Sequence, residues 1–359
     1  MHFREFLNNF APYEWEPSNE QIASKYNISP DDIIRLDTNT SPYSPNKWLQ
    51  KLASIMEGLP VQQYPDASYS KVRKLISDYT EFSMDQIILA NGADENLLMI
   101  GSSIIDPNSE VILSTPTYAY YSKLVEILGA NVVSVNRKDD FSDNFDAIIS
   151  SINENTSTVI LCNPNNPTGN IVDRSKVVEL LENKNITVIV DEAYYEYTGI
   201  TLSDLINSND NLVIVRTFSK AFSLAGLRVG YSISSPKMTN IINKVRPPNS
   251  VGVISNALAE IALSDLESMK EVVNKTLVEK KRFLEKVSAY EQINIIPGAA
   301  NFMLLSLNGF DGSDLCTKLL ERGIVVRDVS SYENLGNYIR FSLGTSDQND
   351  KFLSCLLDF

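Results

Sequence analysis

The stretch STVILCNPNNPTG, residues 157–169, joins an apolar run to a loop of unusual composition. The run STVILC contains several β-branched residues and has the length of a buried strand. Residues 163–169 then contribute two prolines and three asparagines, which neither continue a strand nor begin a helix. The stretch therefore predicts a buried strand that ends in a shaped loop carrying side-chain amides.

Further short β-branched runs surround this one along the middle of the chain. They are QIILAN (86–91), EVILS (110–114), NVVSV (131–135), ITVIVDE (186–192), NLVIVRT (211–217) and RVGYSIS (228–234). Most are separated by segments long enough for a helix, which is typical of an α/β protein with a mostly parallel sheet covered on both faces. We therefore predict a seven-stranded sheet, with ligand-binding residues at the carboxyl ends of its strands.

The character of the sequence changes after about residue 246. A long helical region reaches to about Tyr290, and the runs NFMLLSL, GIVVRD and NYIRFSL follow it. Five prolines are spread over the first 45 residues. The sequence thus predicts an N-terminal arm (1–45) that packs on a smaller α+β domain (247–359), with a large domain (46–246) between them.

Composition excludes several classes of function. The 359 residues carry a formal net charge of −14, which argues against broad binding to a nucleic-acid backbone but leaves room for one local anion pocket. No apolar run approaches the ~18 residues of a membrane span, and the first residues lack the pattern of a signal peptide. We expect a cytoplasmic protein without a membrane partner, and we expect its three scattered cysteines to be buried thiols.

The only histidine is His2, which makes a Ser/His or Cys/His catalytic pair and a histidine-rich metal site unexpected. Proton transfer must then use carboxylates, tyrosines or a lysine. A lysine becomes a useful base or nucleophile when burial or imine formation lowers its pKa. Lys220, in the segment TFSKAFSLAGLRVGY (217–231), is the candidate because it directly follows an apolar run.

A candidate phosphate site precedes this lysine in the sequence. Neither G-x-x-x-x-G-K-[ST] nor G-x-G-x-x-G occurs, but NGADENLLMIG (91–101) places Ala93 and Asp94 at the predicted start of a helix. The free backbone N–H groups there can hold a phosphate. A turn that ends in an aspartate helix cap would have the same pattern.

Asp191 ends the predicted strand ITVIVD, so its carboxylate is expected at the edge of the sheet. Alone it would fit a helix cap or a surface carboxylate equally well. Together with a lysine, a helix-start anion site and an amide loop, it indicates pyridoxal phosphate chemistry, in which an aspartate neutralises the pyridinium and a lysine forms the Schiff base.

The same motifs carry a resemblance to a known family. They are YPD (64–66), NGADE (91–95), PTYAYY (116–121), NPNNPTG (163–169), DEAYYE (191–196), TFSKAFSLAGLRVGY (217–231) and NYIRFSLGT (337–345). The set resembles the fold-type I, class I/II aminotransferases over nearly the whole chain, and its order and spacing are most similar to the histidinol-phosphate aminotransferases. Cobalamin-pathway threonine-phosphate decarboxylases and aromatic-amino-acid aminotransferases share most of these motifs.

The resemblance implies a role for each cofactor-binding residue. Lys220 would form the Schiff base and move the substrate proton, and Asp191 would pair with the pyridine nitrogen. Asn166 and Tyr194 would hydrogen-bond the phenolic oxygen of the ring. The remaining cofactor contacts implied are stacking by Tyr118 and phosphate binding by the Ala93 and Asp94 amides, Ser219, Arg228, and Tyr64 from the second subunit of a homodimer.

The resemblance also implies a substrate site. Arg340 would bind the anionic end of the substrate, while Arg327 and Tyr13 would help to bind the phosphate of L-histidinol phosphate, with 2-oxoglutarate as the amino acceptor. The alternative for Arg327 is an ordinary surface salt-bridge residue. The chain reads NTSP at residues 39–42, where the family usually has N-E-N-P. Alternatives are an aromatic or other aminotransferase, a threonine-phosphate decarboxylase, and a cofactor-binding regulatory module without catalysis.

Overall fold

The computed structural model describes residues 2, 5–8, 10 and 17–359. The strands are β1 (Ile34–Arg35), β2 (Ile87–Ala90), β3 (Glu110–Thr115), β4 (Asn131–Asn136), β5 (Thr156–Cys162), β6 (Thr187–Asp191), β7 (Leu212–Thr217), β8 (Gly230–Ser234), β9 (Ile293–Ile296), β10 (Phe302–Leu307), β11 (Ile324–Val325), β12 (Arg327–Asp328) and β13 (Tyr338–Ser342). The α-helices are α1 (Asn19–Tyr26), α2 (Asn46–Ile55), α3 (Ser70–Thr80), α4 (Gly92–Ile104), α5 (Tyr120–Leu128), α6 (Phe145–Ser151), α7 (Arg174–Glu182), α8 (Pro236–Ile242), α9 (Val253–Leu263), α10 (Leu266–Val287), α11 (Gly312–Glu321) and α12 (Ser346–Leu357). Short 3-10 helices lie between some of them, at Glu5–Asn8, Pro30–Asp32, Met56–Gly58, Met84–Gln86, Tyr195–Tyr197, Ser203–Ser208 and Ala225–Leu227.

The large sheet has the strand order β2-β8-β7-β6-β5-β3-β4. Its strands are parallel except β8, which runs antiparallel to both of its neighbours. Each of the apolar runs singled out in the sequence forms one of these strands, so the predicted seven-stranded, mostly parallel sheet is confirmed.

Strand β6 shows why such strands read as continuous apolar runs. Val188 and Val190 point into one buried cluster, while Ile189 between them points into the cluster on the opposite face. All three side chains are completely buried because helices cover both faces of the sheet. After this buried apolar run, the polar residue Asp191 stands at the carboxyl end of the strand.

The smaller lobe is built on an antiparallel sheet of order β12-β13-β10-β9. Phe283 of α10, Phe341 of β13 and Phe352 of α12 meet in its core. The N-terminal segment contacts this lobe, because β1 pairs in parallel with β11 and Ile22 packs in a cluster with Val325.

The boundaries at residues 45 and 246 stay a prediction. Helix α9, beyond residue 246, packs against α2 and α3, so contacts of the large lobe continue into this helix. Cys162 and Cys355 are buried and Cys316 is half-buried. In the part of the chain that the structure describes, no helix is both long and apolar enough to span a membrane.

Candidate active site

A cavity of about 420 Å³ lies where the carboxyl ends of β5, β6 and β7 face the smaller lobe. The register of these strands places Cys162, Asp191 and Val215 side by side, so the segments that follow them open onto one space. Eleven of the residues singled out in the sequence line the cavity: Ala93, Asp94, Tyr118, Asn166, Asp191, Tyr194, Ser219, Lys220, Arg228, Arg327 and Arg340.

Among the predicted site residues that the structure describes, Tyr64 is not in this cavity. Tyr64 is 87% exposed and lies at a separate surface groove beside α3 and α9. Tyr64 is predicted to bind the cofactor phosphate of a second subunit. A single chain does not test that role, which stays a prediction. Tyr13 lies outside the described residues.

Lys220 follows β7 in a bend and its ammonium group reaches the cavity. Its Nζ donates a hydrogen bond to the carbonyl oxygen of Thr38 at 3.0 Å. Desolvation, followed by the nearby positive charge of Arg340, lowers the pKa of Lys220 to about 8. A lysine with this pKa has an appreciable neutral fraction near physiological pH, which a nucleophile or general base requires.

Asp191 is 4% exposed at the end of β6. Its two oxygens accept hydrogen bonds from the Tyr121 hydroxyl at 2.8 Å and from the Ala193 amide at 3.0 Å. Desolvation raises the pKa of Asp191 to about 6, and the hydrogen bond from Tyr121 opposes that shift. Within the described residues Asp191 has no salt bridge, so a buried carboxylate faces the cavity without a cation of its own.

The start of α4 contributes Ala93 and Asp94 to the wall of the cavity. Arg228 Nη2 contacts Asp94 Oδ2 at 2.9 Å, and Arg228 Nη1 lies 3.4 Å from Ser219 Oγ. Gly92 has φ +90°, and a Cβ on it would lie 2.8 Å from Arg228 Nη2. Because residue 92 has no side chain, the guanidinium of Arg228 and the free N–H groups at the start of α4 can face the same space. Such a combination of donors can bind an anion.

The amide loop connects the two lobes across the cavity. Asn166 is buried, and its Oδ1 accepts a hydrogen bond from Arg340 Nη1 at 2.6 Å. Tyr194 packs edge-to-face on Phe302 with ring centroids 5.0 Å apart, and burial raises the pKa of its hydroxyl. The hydroxyl accepts a hydrogen bond from Asn39 Nδ2 at 2.9 Å.

The two predicted substrate arginines lie on neighbouring strands. Arg327 of β12 is directly opposite Arg340 of β13 in an antiparallel pair, so the runs GIVVRD and NYIRF lie side by side. Directly opposite residues have Cβ atoms about 4.5–5.5 Å apart, and both arginines line the cavity. Arg340 is buried and Arg327 is half-buried.

Sequence reasoning missed a tyrosine that contacts Asp191 and several residues that line the cavity. Tyr121, which hydrogen-bonds Asp191, lies in the tyrosine-rich run PTYAYY, whose composition was the available signal. Asp37, Thr38 and Asn39 approach the site from the N-terminal segment; the NTSP motif at 39–42 marked this segment but did not indicate which of its residues line the cavity. Tyr332, in the segment between the two arginines, also lines the cavity.

These residues fit pyridoxal phosphate. Asp191 supplies the buried anion that a pyridinium requires, and the start of α4 supplies a phosphate cradle into which a Cβ at residue 92 would intrude. Lys220 lines the same cavity and has a lowered pKa. The set therefore has a group for each chemically distinct part of the cofactor.

Comparison with known proteins agrees with this geometry. The family model described as aminotransferase class I and II matches residues 31–356. A histidinol-phosphate aminotransferase of Methanococcus aeolicus is 33% identical over 361 residues, covering 98% of this chain and 97% of that protein. The solved structure of the histidinol-phosphate aminotransferase from Clostridium acetobutylicum has a TM-score of 0.83 at 28% identity, with coverage of 90% of this chain and 98% of that chain. The enzyme of the same name from Sinorhizobium meliloti, in complex with pyridoxal-5'-phosphate, has a TM-score of 0.88 at 23% identity, covering 99% and 96%.

The sheet order, the cavity and the family match together define a transferase of fold type I that uses pyridoxal phosphate. The chain belongs to the class I and II aminotransferase family.

Proposed function

We propose that this enzyme transfers the amino group of L-histidinol phosphate to 2-oxoglutarate, a step of histidine biosynthesis. The observation that carries the proposal is the pair Arg327 and Arg340, directly opposite each other on adjacent strands and both facing the cavity. Relatives covering nearly the whole chain, such as the 33% identical protein of Methanococcus aeolicus, are named histidinol-phosphate aminotransferases.

Two adjacent guanidiniums suit a phosphate better than a single carboxylate. Each guanidinium can donate a forked pair of hydrogen bonds, and a phosphate dianion has three oxygens to accept them. Hydrogen bonds to Asn166 and to the Asp37 carbonyl hold Arg340 in position. The arrangement thus favours substrates that bring a dianionic group to the smaller lobe.

The catalytic roles follow from the positions of the side chains. Bound pyridoxal phosphate supplies an electron-withdrawing ring that stabilises negative charge at the substrate Cα. Asp191 holds the proton on the pyridine nitrogen, because an ionised carboxylate in a buried site favours a cationic partner. Lys220 Nζ, with its pKa lowered to about 8, accepts the proton from the substrate Cα and then donates it to the cofactor carbon.

The remaining residues orient the cofactor. The Ala93 and Asp94 amides, Ser219 and Arg228 bind the phosphate, Tyr118 stacks on the ring, and Asn166 and Tyr194 bind the phenolic oxygen. These assignments rest on their shared cavity and on the match of each motif to the family.

A homodimer is part of the proposal. Tyr64 lies at a groove of about 620 Å³ that is lined by apolar residues of α2 and α9, including Ile55 and Ile261. We expect a second subunit to cover this groove and to receive Tyr64 at its own phosphate site. Sedimentation should give a dimer, and Tyr64→Phe should weaken cofactor binding without changing the subunit mass. A monomeric holoenzyme with full activity would disprove this part of the proposal.

The decisive experiment is a side-by-side assay of three candidate substrates. Purified holoenzyme should transaminate histidinol phosphate with a kcat/KM far above that for phenylalanine, and it should release no carbon dioxide from O-phospho-L-threonine. Glutamate should bleach the visible absorbance band of the holoenzyme, which a regulatory module without catalysis would not show. Preference for phenylalanine, or decarboxylation of phosphothreonine, would replace the proposal by the corresponding alternative.

A further inference from the structure

Three consecutive residues of the N-terminal segment each contact a different cavity residue. The carbonyl oxygens of Asp37 and Thr38 accept hydrogen bonds from Arg340 and Lys220. Asn39 donates from Nδ2 to the Tyr194 hydroxyl at 2.9 Å. Among these three contacts only that of Asn39 is made by a side chain, so it is the one that a substitution can remove.

The smaller lobe fixes the orientation of the Asn39 amide. Asn39 is 2% exposed, and its backbone has φ +54°, a left-handed conformation that asparagine tolerates better than most residues. Its backbone N–H donates to Ser342 Oγ at 2.7 Å, and Ser342 Oγ lies 3.2 Å from Asn39 Oδ1, to which it donates. Asn301 Nδ2 donates to the Asn39 carbonyl at 3.1 Å. With Oδ1 engaged by Ser342, the Nδ2 group is the one that faces Tyr194.

The direction of this hydrogen bond restricts the Tyr194 proton. A hydroxyl that accepts from an amide N–H cannot donate back to the same group, so its own proton must point elsewhere. Accepting a hydrogen bond also polarises the O–H group and makes it a stronger donor. Because Tyr194 lines the cavity, its proton is available to an acceptor there.

We propose that Asn39 is a positioning residue that commits the Tyr194 hydroxyl to donate toward the phenolic oxygen of bound pyridoxal phosphate. The inference rests on the proposed role of Tyr194 in cofactor binding. A stronger donor withdraws negative charge from the phenolic oxygen, so the proton at Lys220 Nζ in the holoenzyme is held less tightly. Asn39 thereby lowers the pH at which that proton leaves.

The test is a pH titration of the visible absorbance band of substrate-free holoenzyme. Asn39→Gly keeps the left-handed backbone accessible but removes the amide. The midpoint should rise by roughly 0.5–1 pH unit, the equivalent of one ordinary hydrogen bond. Asn39→Asp, which is isosteric and reverses the hydrogen bond by offering only acceptors, should raise the midpoint further and serves if the glycine variant does not fold.

Two controls separate this role from packing between the lobes. In a Tyr194→Phe background, Asn39→Gly should shift the midpoint by less than about 0.3 unit, because the group through which it acts is gone. Asn301→Ala removes another hydrogen bond to the same residue and should lower thermal stability without moving the midpoint by more than that amount.

Several results would overturn the inference. Unchanged midpoints in Asn39→Gly and Asn39→Asp would do so, and so would an equal shift in the Tyr194→Phe background. A shift in Asn301→Ala as large as that in Asn39→Gly would assign the effect to lobe packing. The titration uses no substrate, so failure of histidinol phosphate in the steady-state assay would leave this result standing.

Discussion

Replacing Arg327 or Arg340 by glutamine, one at a time, should lower kcat/KM for the two substrates to different extents. Glutamine keeps a hydrogen-bonding side chain but removes the charge and the forked geometry. Histidinol phosphate and 2-oxoglutarate must each present an anionic group to Arg340, so Arg340→Gln should damage both half-reactions. Arg327→Gln should damage mainly the half-reaction with the phosphate-bearing substrate.

The size of the effect follows from burial. Arg340 is 7% exposed, and loss of a charge-assisted hydrogen-bonded pair in such a site costs roughly 2–4 kcal/mol in kcat/KM, or about 30-fold to 1000-fold. Arg327 is half-buried, where water weakens the interaction, so about 30-fold is expected for histidinol phosphate. In Arg327→Gln, the fold loss in kcat/KM for 2-oxoglutarate should be about one tenth of the fold loss for histidinol phosphate.

Single-turnover absorbance measurements of each half-reaction provide the assay, because they separate the two substrates. Arg322→Gln is the matched control: it removes the same charge from the smaller lobe at a side chain that contacts Asp358 and lies outside the cavity. Its rate constants should stay within about twofold of those of the wild type. If Arg327→Gln leaves histidinol-phosphate turnover unchanged, or weakens both substrates equally, the reasoning about a two-arginine phosphate site is wrong.

Other predictions concern the cofactor end of the cavity. Lys220→Ala should keep the fold but lose transamination by several orders of magnitude, and borohydride should no longer fix the cofactor to the chain; near wild-type turnover would refute the assignment. Asp191→Asn should slow the chemical step far more than it weakens cofactor binding, so equal single-turnover rates would count against the role. The same variant should stabilise the cofactor-free protein: burial raises the pKa of Asp191 from 3.8 to about 6, so folding carries a penalty that grows as pH rises through this window. Urea denaturation should show a gain of about 3 kcal/mol at pH 7.5 and much less at pH 4; a gain that does not depend on pH would contradict the linkage. Gly230→Ala should lower stability by about 1–3 kcal/mol and weaken cofactor binding, because a Cβ there would lie 2.7 Å from the Ala93 nitrogen. Gly226→Ala, whose Cβ would meet nothing within 4 Å, is its control, and similar losses in both would exclude a specific clash at α4.

Local patterns predicted the strands of the large sheet because each strand is buried on both faces. The run NLVIVRT, for example, corresponds to β7 at Leu212–Thr217. The antiparallel direction of β8 could not be read in this way, since a buried strand has the same composition in either direction. Pairing of Arg327 with Arg340 was predictable because only a short polar segment separates their strands.

The unpredicted part of the site comes from long-range contacts. The hydrogen bond between Asn39 and Tyr194 joins residues 155 positions apart, and no spacing rule connects them. The departure from N-E-N-P affects residues 40 and 41, whereas the side chain of this motif that reaches the cavity is the retained asparagine at 39. The sequence pattern therefore marked this segment without revealing which of its side chains enters the site.

The contact between Asn39 and Ser342 has a consequence for biosynthesis. The two residues are 303 positions apart, and Ser342 ends β13. A ribosome that adds about 5–20 residues per second needs roughly 15–60 s between them. The large sheet can form during this interval, but the contacts of the N-terminal segment with Arg340 and Ser342 cannot form until β13 has been synthesised. The nascent chain therefore completes its site only after residue 342 has been added, and a product truncated before β13 would carry the catalytic lysine in an unfinished cavity.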